Sequence, residues 1–495
     1  MRISGLASGM DIDSMVKELM KGRRASLDTL VQKRTVVQWQ QEDYREMSTK
    51  IVDFRNNKIA GYNLSSAINA KKADVSGNAG ALTVNATSST ASGSMDVNVQ
   101  QVAQVARTMF TFDGNGDGTA DSTSGKTLVD LGFDTSLPIF VNGAQIDLDG
   151  TDSIKTLVSK INSNKSAKVT AMYNDATGQL SITNSQVGKG SGVNGSDDPD
   201  GSVSITGMSA LFTEAKTAGK NAVVDVNGIT YEQTSNRFAV NGIDFTLKAE
   251  SGTSGSTTVS VVTDTDKILN TIKSFVADYN SIVDTVNGKI GQERYRSYTP
   301  LTDDQREGMT DKQQELWDEK SHSGLLRNDT ILSGMLSDLR TASTSSYSGT
   351  TSIQSIGITT GSWYDKGKLV IDENKLRSAI EENPEQVVNM FSKSGDDSKP
   401  TNQNVGVFAK MTRILSNTLK SLNEKAGTST TSTDTTFSFL PNSMLSSQIT
   451  DMQNRESSMA DRLADVENQY YKTFSAMEEA MNKYNSQASS LSSFS

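Results

Sequence analysis

Two heptad patterns, one at each end of the chain, constrain this sequence more than any other feature. Near the N-terminus Leu30, Val37, Tyr44 and Ile51 recur every seven residues, with Met47 and Phe54 three residues after the last two. Near the C-terminus Ile449, Met452, Glu456, Met459, Leu463, Val466, Tyr470, Phe474, Met477, Met481, Tyr484, Ala488 and Leu491 advance by threes and fours. A stripe this narrow is a coiled-coil seam, not the broad apolar face of a helix in a globular core. Such a seam needs a partner helix. The two successive steps of four from Val466 through Tyr470 to Phe474 form a stutter, which locally relaxes a left-handed supercoil. Met10, Met15, Met20, Met452, Met459, Met477 and Met481 add flexible thioethers that tolerate imperfect or changing partners.

Between the two ends the apolar period changes from helical to two. Residues 1–75 read as helix, broken near Gly22 and again near Gly61. Segments 74–76, 81–86 and 95–99 then read as strands divided by Gly and Ser clusters. Asn142-Gly143 is a two-residue turn signal that predicts a hairpin from 139–141 to 145–148. Helix is predicted over 153–162, with Ile154, Leu157, Val158 and Ile161 on one face, followed by a second hairpin from 168–173 to 179–184. Val-Asn-Gly occurs at Val141, Val226 and Val240, which predicts related hairpin units. The strand pattern resumes over 222–262 and stops at Asp264, after which Ile268, Ile272, Phe275, Tyr279, Ile282 and Val286 return to helical spacing. Further on, the pattern predicts helix over 323–340, a hairpin within 356–371, helix over 373–382 and a helical stripe at Phe408, Met411, Leu415, Leu419 and Leu422. The Ser/Thr tracts 341–352 and 427–436, and the Gly/Ser/Asp-rich 188–202, read as loops. The order helix, β, helix describes an α+β multidomain chain with two inserted β-rich domains, in which both ends build the terminal coiled-coil helices and a helical domain.

Composition narrows the function. A chain of 495 residues has room for roughly three or four domains of about 150 each. Its net charge of -10 argues against nucleic acid as a partner, because phosphate binding relies on clustered Lys and Arg. With no cysteine, disulfides, thiolate metal sites and a Cys nucleophile are excluded. No apolar run approaches the ~20 residues of a membrane span, so membrane insertion is not expected. The N-terminus lacks the apolar core of a secretory signal, so any export is expected to proceed without a cleaved signal peptide. Six prolines and no cysteine suit threading unfolded through a narrow channel.

Catalytic chemistry finds little footing. A Ser-His-acid triad would have to use His322, the only histidine, and no Gly-x-Ser-x-Gly elbow lies near it. The 58 acidic residues supply so many carboxylate pairs that none is informative. There is no phosphate-binding Gly-x-x-x-x-Gly-Lys loop and no dinucleotide fingerprint after a strand, and no cofactor is expected. The most site-like motif is Asp113, Asn115, Asp117 and Asp121 with glycines at 114, 116 and 118, which has two readings: a calcium loop, or a Gly/Asn/Asp turn. Ser124 stands where a calcium loop carries its bidentate acid. We therefore expect no enzyme.

The opening Ile3-Ser4-Gly5-Leu6-Ala7-Ser8-Gly9-Met10-Asp11-Ile12-Asp13, with Val16, Leu19 and Met20, resembles the start of the flagellar hook-associated protein 2 family, the filament caps. Further along, Val276-Ala277-Asp278-Tyr279-Asn280, Gly324-Leu325-Leu326-Arg327-Asn328-Asp329, Ile371-Asp372-Glu373-Asn374-Lys375-Leu376 and Phe474-Ser475-Ala476-Met477-Glu478 are also similar to it. Residues 141–184 resemble the small β repeat of flagellins and their caps. The resemblance implies an N-terminal leg helix over 1–40, disordered when unassembled, and a helical domain built from 41–75 and 264–450. It further implies an inner β domain from 76–108 and 218–263, an outer β domain over 109–217 and a C-terminal leg helix over 451–495. It implies a structural cap at the filament's distal end that folds and inserts exported flagellin, in the form of a ring-shaped homo-oligomer, commonly a pentamer. Its implied partners are copies of itself, flagellin, the flagellar export apparatus and an export chaperone. The implied location is extracellular, at the flagellar tip. Alternatives are a surface adhesin whose β domains bind glycans, or another axial protein such as a hook-filament junction protein. The expected assembly motif is Gly5, Leu6, Ser8, Gly9, Met10 and Asp11. The expected assembly faces carry Leu30, Val37, Tyr44 and Ile51 on one helix and Met459, Leu463, Val466, Phe474, Met477, Met481 and Leu491 on the other.

Overall fold

The computed structural model describes residues 11–189, 202–347, 351–395 and 404–492. They form two compact units, Met1–Ile68 with Thr265–Ser495, and Asn69–Asp264. The fold is α+β.

The chain enters the first unit through α1 (Ile12–Asp53), started by Asp11, whose carboxylate accepts the Ser14 backbone N–H at 3.0 Å. Contrary to the sequence reading, α1 runs through Gly22 unbroken. A helical glycine costs about 1 kcal/mol relative to alanine, whereas each fully buried apolar side chain returns about 1.5–3 kcal/mol, and Ile12, Val16, Met20 and Leu30 flank it. The second expected break, near Gly61, is present: helix stops at Asn63 and Leu64, between α2 (Ala60–Tyr62) and α3 (Ser65–Ile68). Ahead of it lies a π turn over Phe54–Ile59. Its i to i+5 spacing sets Phe54 and Ile59 on one buried face, which the regular period would have splayed apart.

The second unit opens earlier than the expected boundary at 75, with β1 (Lys71–Gly77). There follow β2 (Leu82–Ala86), β3 (Gly93–Gln101), β4 (Val105–Phe112), β5 (Ile139–Val141), β6 (Ala144–Ile146), α4 (Ile154–Ser163), β7 (Val169–Asn174), β8 (Gln179–Val187) and β9 (Ile205–Thr206). The unit closes with β10 (Phe212–Thr217), β11 (Ala222–Val226), β12 (Ile229–Gln233), β13 (Arg237–Val240), β14 (Ile243–Leu247) and β15 (Thr257–Thr263). Two cores result. Sheets β1-β15-β3-β11-β12 and β13-β14-β2 bury alternate residues such as Val97, Val99, Val224, Phe245, Val259 and Val261. Sheets β10-β4-β8-β7 and β6-β5-β9, with α4, enclose Phe110, Phe112, Leu128, Leu157, Ile161 and Ile182. The expected change of domain between 108 and 109 falls inside β4, whose pairing with β8 already begins at Val105.

The Val-Asn-Gly tripeptides at Val141, Val226 and Val240 are hairpin turns, joining β5 to β6, β11 to β12 and β13 to β14, whereas the one at Val286 lies within a helix. Asn142, Asn227 and Asn241 sit at φ 46°, 52° and 52°, each followed by a glycine that is also at positive φ. That pair of left-handed residues matches the twist of the flanking strands.

The chain returns to the first unit through α5 (Thr265–Gly291), then α6 (Asp303–Glu307), α7 (Asp311–His322), α8 (Thr330–Thr344), the short β16 (Ile358–Thr360) and β17 (Leu369–Ile371), α9 (Glu373–Glu382), α10 (Pro384–Ser392), α11 (Val407–Ala426) and α12 (Met444–Ser492). Phe275, Phe391 and Phe408 pack ring to ring at the centre, with centroids 5.0–6.0 Å apart. The helix predicted over 323–340 starts only at Thr330, because Gly324 at φ 66° turns the chain against the Glu293 backbone and Asp329 caps the new helix. It then runs on through Thr344, into the Ser/Thr tract read as loop.

Candidate assembly surface

The two seams meet each other. Helices α1 and α12 lie antiparallel: Ile12, Val16 and Met20 pack against Leu463, Val466, Tyr470, Tyr471 and Phe474. Arg24 pairs with Glu467 at 3.4 Å, Arg34 with Glu456 at 2.8 Å, and Gln41 donates to Ser446 Oγ at 2.8 Å, so the partners step steadily backwards along α12. The Arg34 pair explains the one charged residue in the C-terminal stripe. Arg34 Nε lies 2.8 and 3.0 Å from the two Glu456 oxygens, and both side chains are largely covered, at 22% and 14% exposure.

Burial is graded along α12, whereas α1 is buried at both ends, with Ile12, Val16 and Met20 at 1–2% exposure. Tyr44, Met47, Ile51 and Phe54 are fully buried, and Leu30 and Val37 are buried. On α12, Leu445 and Ile449 are buried, Met459, Leu463, Val466, Phe474 and Met481 are half-buried, and Met477 and Tyr484 are exposed. The deep end is also where polar groups lock the hairpin to the helical bundle. Tyr44 Oη donates to Asp329 Oδ2 at 2.6 Å, Lys425 Nζ reaches the same oxygen at 3.1 Å, and the Ile331 and Leu332 N–H groups donate to Asp329 Oδ1. Burial alone would raise the Asp329 carboxyl, but the bonds from Tyr44, Leu332 and Lys425 outweigh it and hold it below the usual carboxylate range. Burial and the Asp329 carboxylate together push the Tyr44 hydroxyl far above the usual phenol range. Gln41 donates to the Ala426 carbonyl at the end of α11, and Ser48 shares a 2.7 Å hydrogen bond with Thr428.

Of the expected motif, Asp11 is the α1 N-cap, and Ser14 hydrogen bonds lower its carboxyl pKa. Gly5, Leu6, Ser8, Gly9 and Met10 lie outside the described residues, as does the side chain of Leu491. The heptad seams alone do not include Ile12, Val16 and Met20, whose own spacing of four is the signal that places them on one face. His322 closes α7, where it stacks on Trp39 at 4.9 Å and sets Nε2 3.6 Å from Asp43, itself paired with Lys289.

The Asp113–Asp121 loop is an arrangement of turns. Asp113 accepts the N–H groups of Gly116, Asp117 and Gly118, Asp117 accepts from Thr119, and Asp121 accepts from Gly114. Its carboxylates thus face the loop's own amides, and among the described residues no group of three or more His, Cys, Asp or Glu could hold a metal ion. Among the same residues no helix is long and apolar enough to cross a membrane.

Three family models match the chain: flagellar hook-associated protein 2 N-terminus over residues 8–106, flagellar hook-associated protein 2 C-terminus over 219–486, and flagellin hook IN motif over 136–186. The flagellar hook-associated protein 2 of Halalkalibacterium halodurans is 29% identical over 542 residues, covering 100% of this chain and 99% of that protein. That of Escherichia coli K12 is 24% identical, covering 84% of each. The crystal structure of the D1-D2-D3 domains of the flagellar cap protein FliD from Escherichia coli shares the fold, with a TM-score of 0.52 at 20% identity over 82% of this chain and 99% of that one. A chain whose two ends pair into one helical hairpin, matched by the family's models over residues 8–106 and 219–486, belongs to the flagellar hook-associated protein 2 family.

Proposed function

We propose that this chain is the structural cap at the distal end of a bacterial flagellar filament, where it promotes the folding and insertion of exported flagellin and prevents its loss. The observation that carries the reading is the graded hairpin of α1 and α12. Its inner end is locked into the helical bundle by buried aromatic and charged groups, while at its outer end Ile12, Val16 and Met20 of α1 are covered by α12 residues that are themselves only half-buried, with Met477 and Tyr484 exposed beyond them. A half-buried side chain contributes only part of the roughly 1.5–3 kcal/mol of a fully buried one, so contacts made there can be remade. Remakeable contacts suit a part that must shift each time a subunit is added, and no nucleotide site is needed to drive them.

On this reading several copies, five in the family pattern, form the ring. Because Leu30, Val37, Tyr44 and Ile51 are buried within the chain's own helical unit, the assembly face left to partners is the stripe Met459, Leu463, Val466, Phe474, Met477, Met481 and Leu491, together with the segment Gly5, Leu6, Ser8, Gly9, Met10 and Asp11. Flagellin is the partner of the outer seam. The export apparatus and an export chaperone deliver the chain to the filament tip, outside the cell. The role is architectural, with no reaction assigned.

A chain ending at Arg455 tests this. It retains Leu445, Ile449 and Met452 against the bundle but lacks the outer seam. Expressed in place of the full chain, it should fold yet release flagellin into the medium as monomer. Filaments of normal length would refute the proposal.

A further inference from the structure

The described residues contain five Asn-Gly pairs, at Asn115, Asn142, Asn227, Asn241 and Asn287. This dipeptide is chemically labile, because a glycine N–H, unshielded by a following Cβ, can attack the preceding side-chain amide. In four of the pairs the fold restrains the reacting groups. Asn115 exchanges hydrogen bonds with Asp117, and the Gly116 N–H is held by Asp113 at 2.8 Å. Asn142 donates to the Ala167 carbonyl and to Asn184 Oδ1, each at 3.0 Å, and accepts the Ser204 N–H. Asn227 accepts the Asp96 N–H at 2.8 Å, while the Gly228 N–H is held by Asp225 at 2.7 Å. Asn287 lies within α5, where its amide donates to the Val283 carbonyl.

Asn241 differs. It is exposed, and among the described residues no hydrogen bond engages its side chain or the Gly242 N–H; the turn is anchored one atom group further on, where the Gly242 carbonyl accepts from Thr87 Oγ1 and Thr90 Oγ1. We propose that, among the Asn-Gly pairs of the described residues, Asn241 is the one that spontaneously deamidates in the folded chain, so that of the three Val-Asn-Gly hairpin turns only the β13–β14 turn ages.

The step balances without a cofactor. The Gly242 nitrogen bonds to Asn241 Cγ, the Cγ–Nδ2 bond breaks, and ammonia leaves with the proton lost from Gly242, giving a cyclic imide. Water then opens either imide C–N bond, producing aspartate or isoaspartate. The iso form lengthens the main chain by one methylene inside a two-residue turn and places a carboxylate beside Thr87, Ser89 and Thr90, whose hydroxyls line the position at Gly242. Pairing of β13 with β14 is then weakened at its closed end.

Peptide mapping tests this directly, since trypsin yields separate peptides 108–126, 127–155, 221–237 and 238–248, which carry Asn115, Asn142, Asn227 and Asn241. The intact folded protein is incubated at mildly alkaline pH and sampled over time, beside a urea-unfolded control. In the folded chain Asn241 should convert about tenfold faster than the other three, the factor expected from one or two hydrogen bonds that must break before attack. In the unfolded control the four should convert at similar rates. A folded-state rate at Asn241 no greater than that at any of the other three would overturn the proposal, as would an Asn241 that stays intact while the unfolded chain converts. Asp225→Ala, which frees the Gly228 N–H, should raise the Asn227 rate alone.

Discussion

Replacing Tyr44 with Phe removes one hydroxyl from the deep end of the hairpin and leaves the ring in place. In the native protein that hydroxyl donates a 2.6 Å hydrogen bond to Asp329, and Tyr44 is 0% and Asp329 8% exposed. A hydrogen bond to a charged group contributes about 1.5–3 kcal/mol. Asp329 keeps Lys425 and two backbone N–H donors after the change, so it is not left as an orphaned buried charge, and the loss falls near the lower bound, about 1.5–2 kcal/mol. Urea unfolding of the full chain, followed by far-UV circular dichroism for the helical unit, should show the midpoint falling with the slope unchanged. The dependence on pH supplies a second readout. Because the folded-state pKa of Asp329 lies below its ordinary value, the stabilisation it brings is fully present above about pH 4 and is lost as pH falls through the lower folded value. The gap between wild type and Tyr44→Phe should therefore persist through neutral pH and close only in stronger acid. A variant within about 0.5 kcal/mol of wild type at pH 7 would refute this reasoning.

Two further outcomes are expected. A double-mutant cycle on Arg34→Ala and Glu456→Ala should return a coupling of about 1–2 kcal/mol, above the usual value for exposed pairs because both side chains are mostly covered, and urea midpoints of the four proteins measure it. Adding calcium should leave the thermal midpoint unchanged and show no binding heat, because the Asp113–Asp121 carboxylates already face backbone amides; a saturable heat removed by Asp113→Ala would show otherwise.

Periodicity carried much of the fold. Leu30, Val37, Tyr44 and Ile51 are buried as their heptad spacing requires, and the Asn-Gly pairs close three hairpins because few other dipeptides accept two left-handed residues. What periodicity could not carry was the identity of partners. Glu456 reads as a defect in a seam until Arg34 is seen opposite it, and the pairing spans 422 residues. Helices α6 and α7 were missed because their residues are polar, and their only local signals are the capping boxes Thr302/Gln305 and Thr310/Gln313. The π turn at Phe54–Ile59 escaped for a different reason: it is selected by the burial of both side chains, a tertiary constraint absent from local propensity.

Pairing of the two ends within one chain can be measured directly. Arg24 and Glu467 lie in contact across the hairpin, and the chain contains no cysteine, so Arg24→Cys with Glu467→Cys gives two unique attachment points for spin labels. Electron–electron distance measurement on the doubly labelled protein, diluted into an excess of unlabelled chain, separates pairing within a chain from pairing between chains. Pairing within the chain gives one short, narrow distance that dilution leaves unchanged, whereas a long or broad distribution, or a short distance that disappears on dilution, would contradict it.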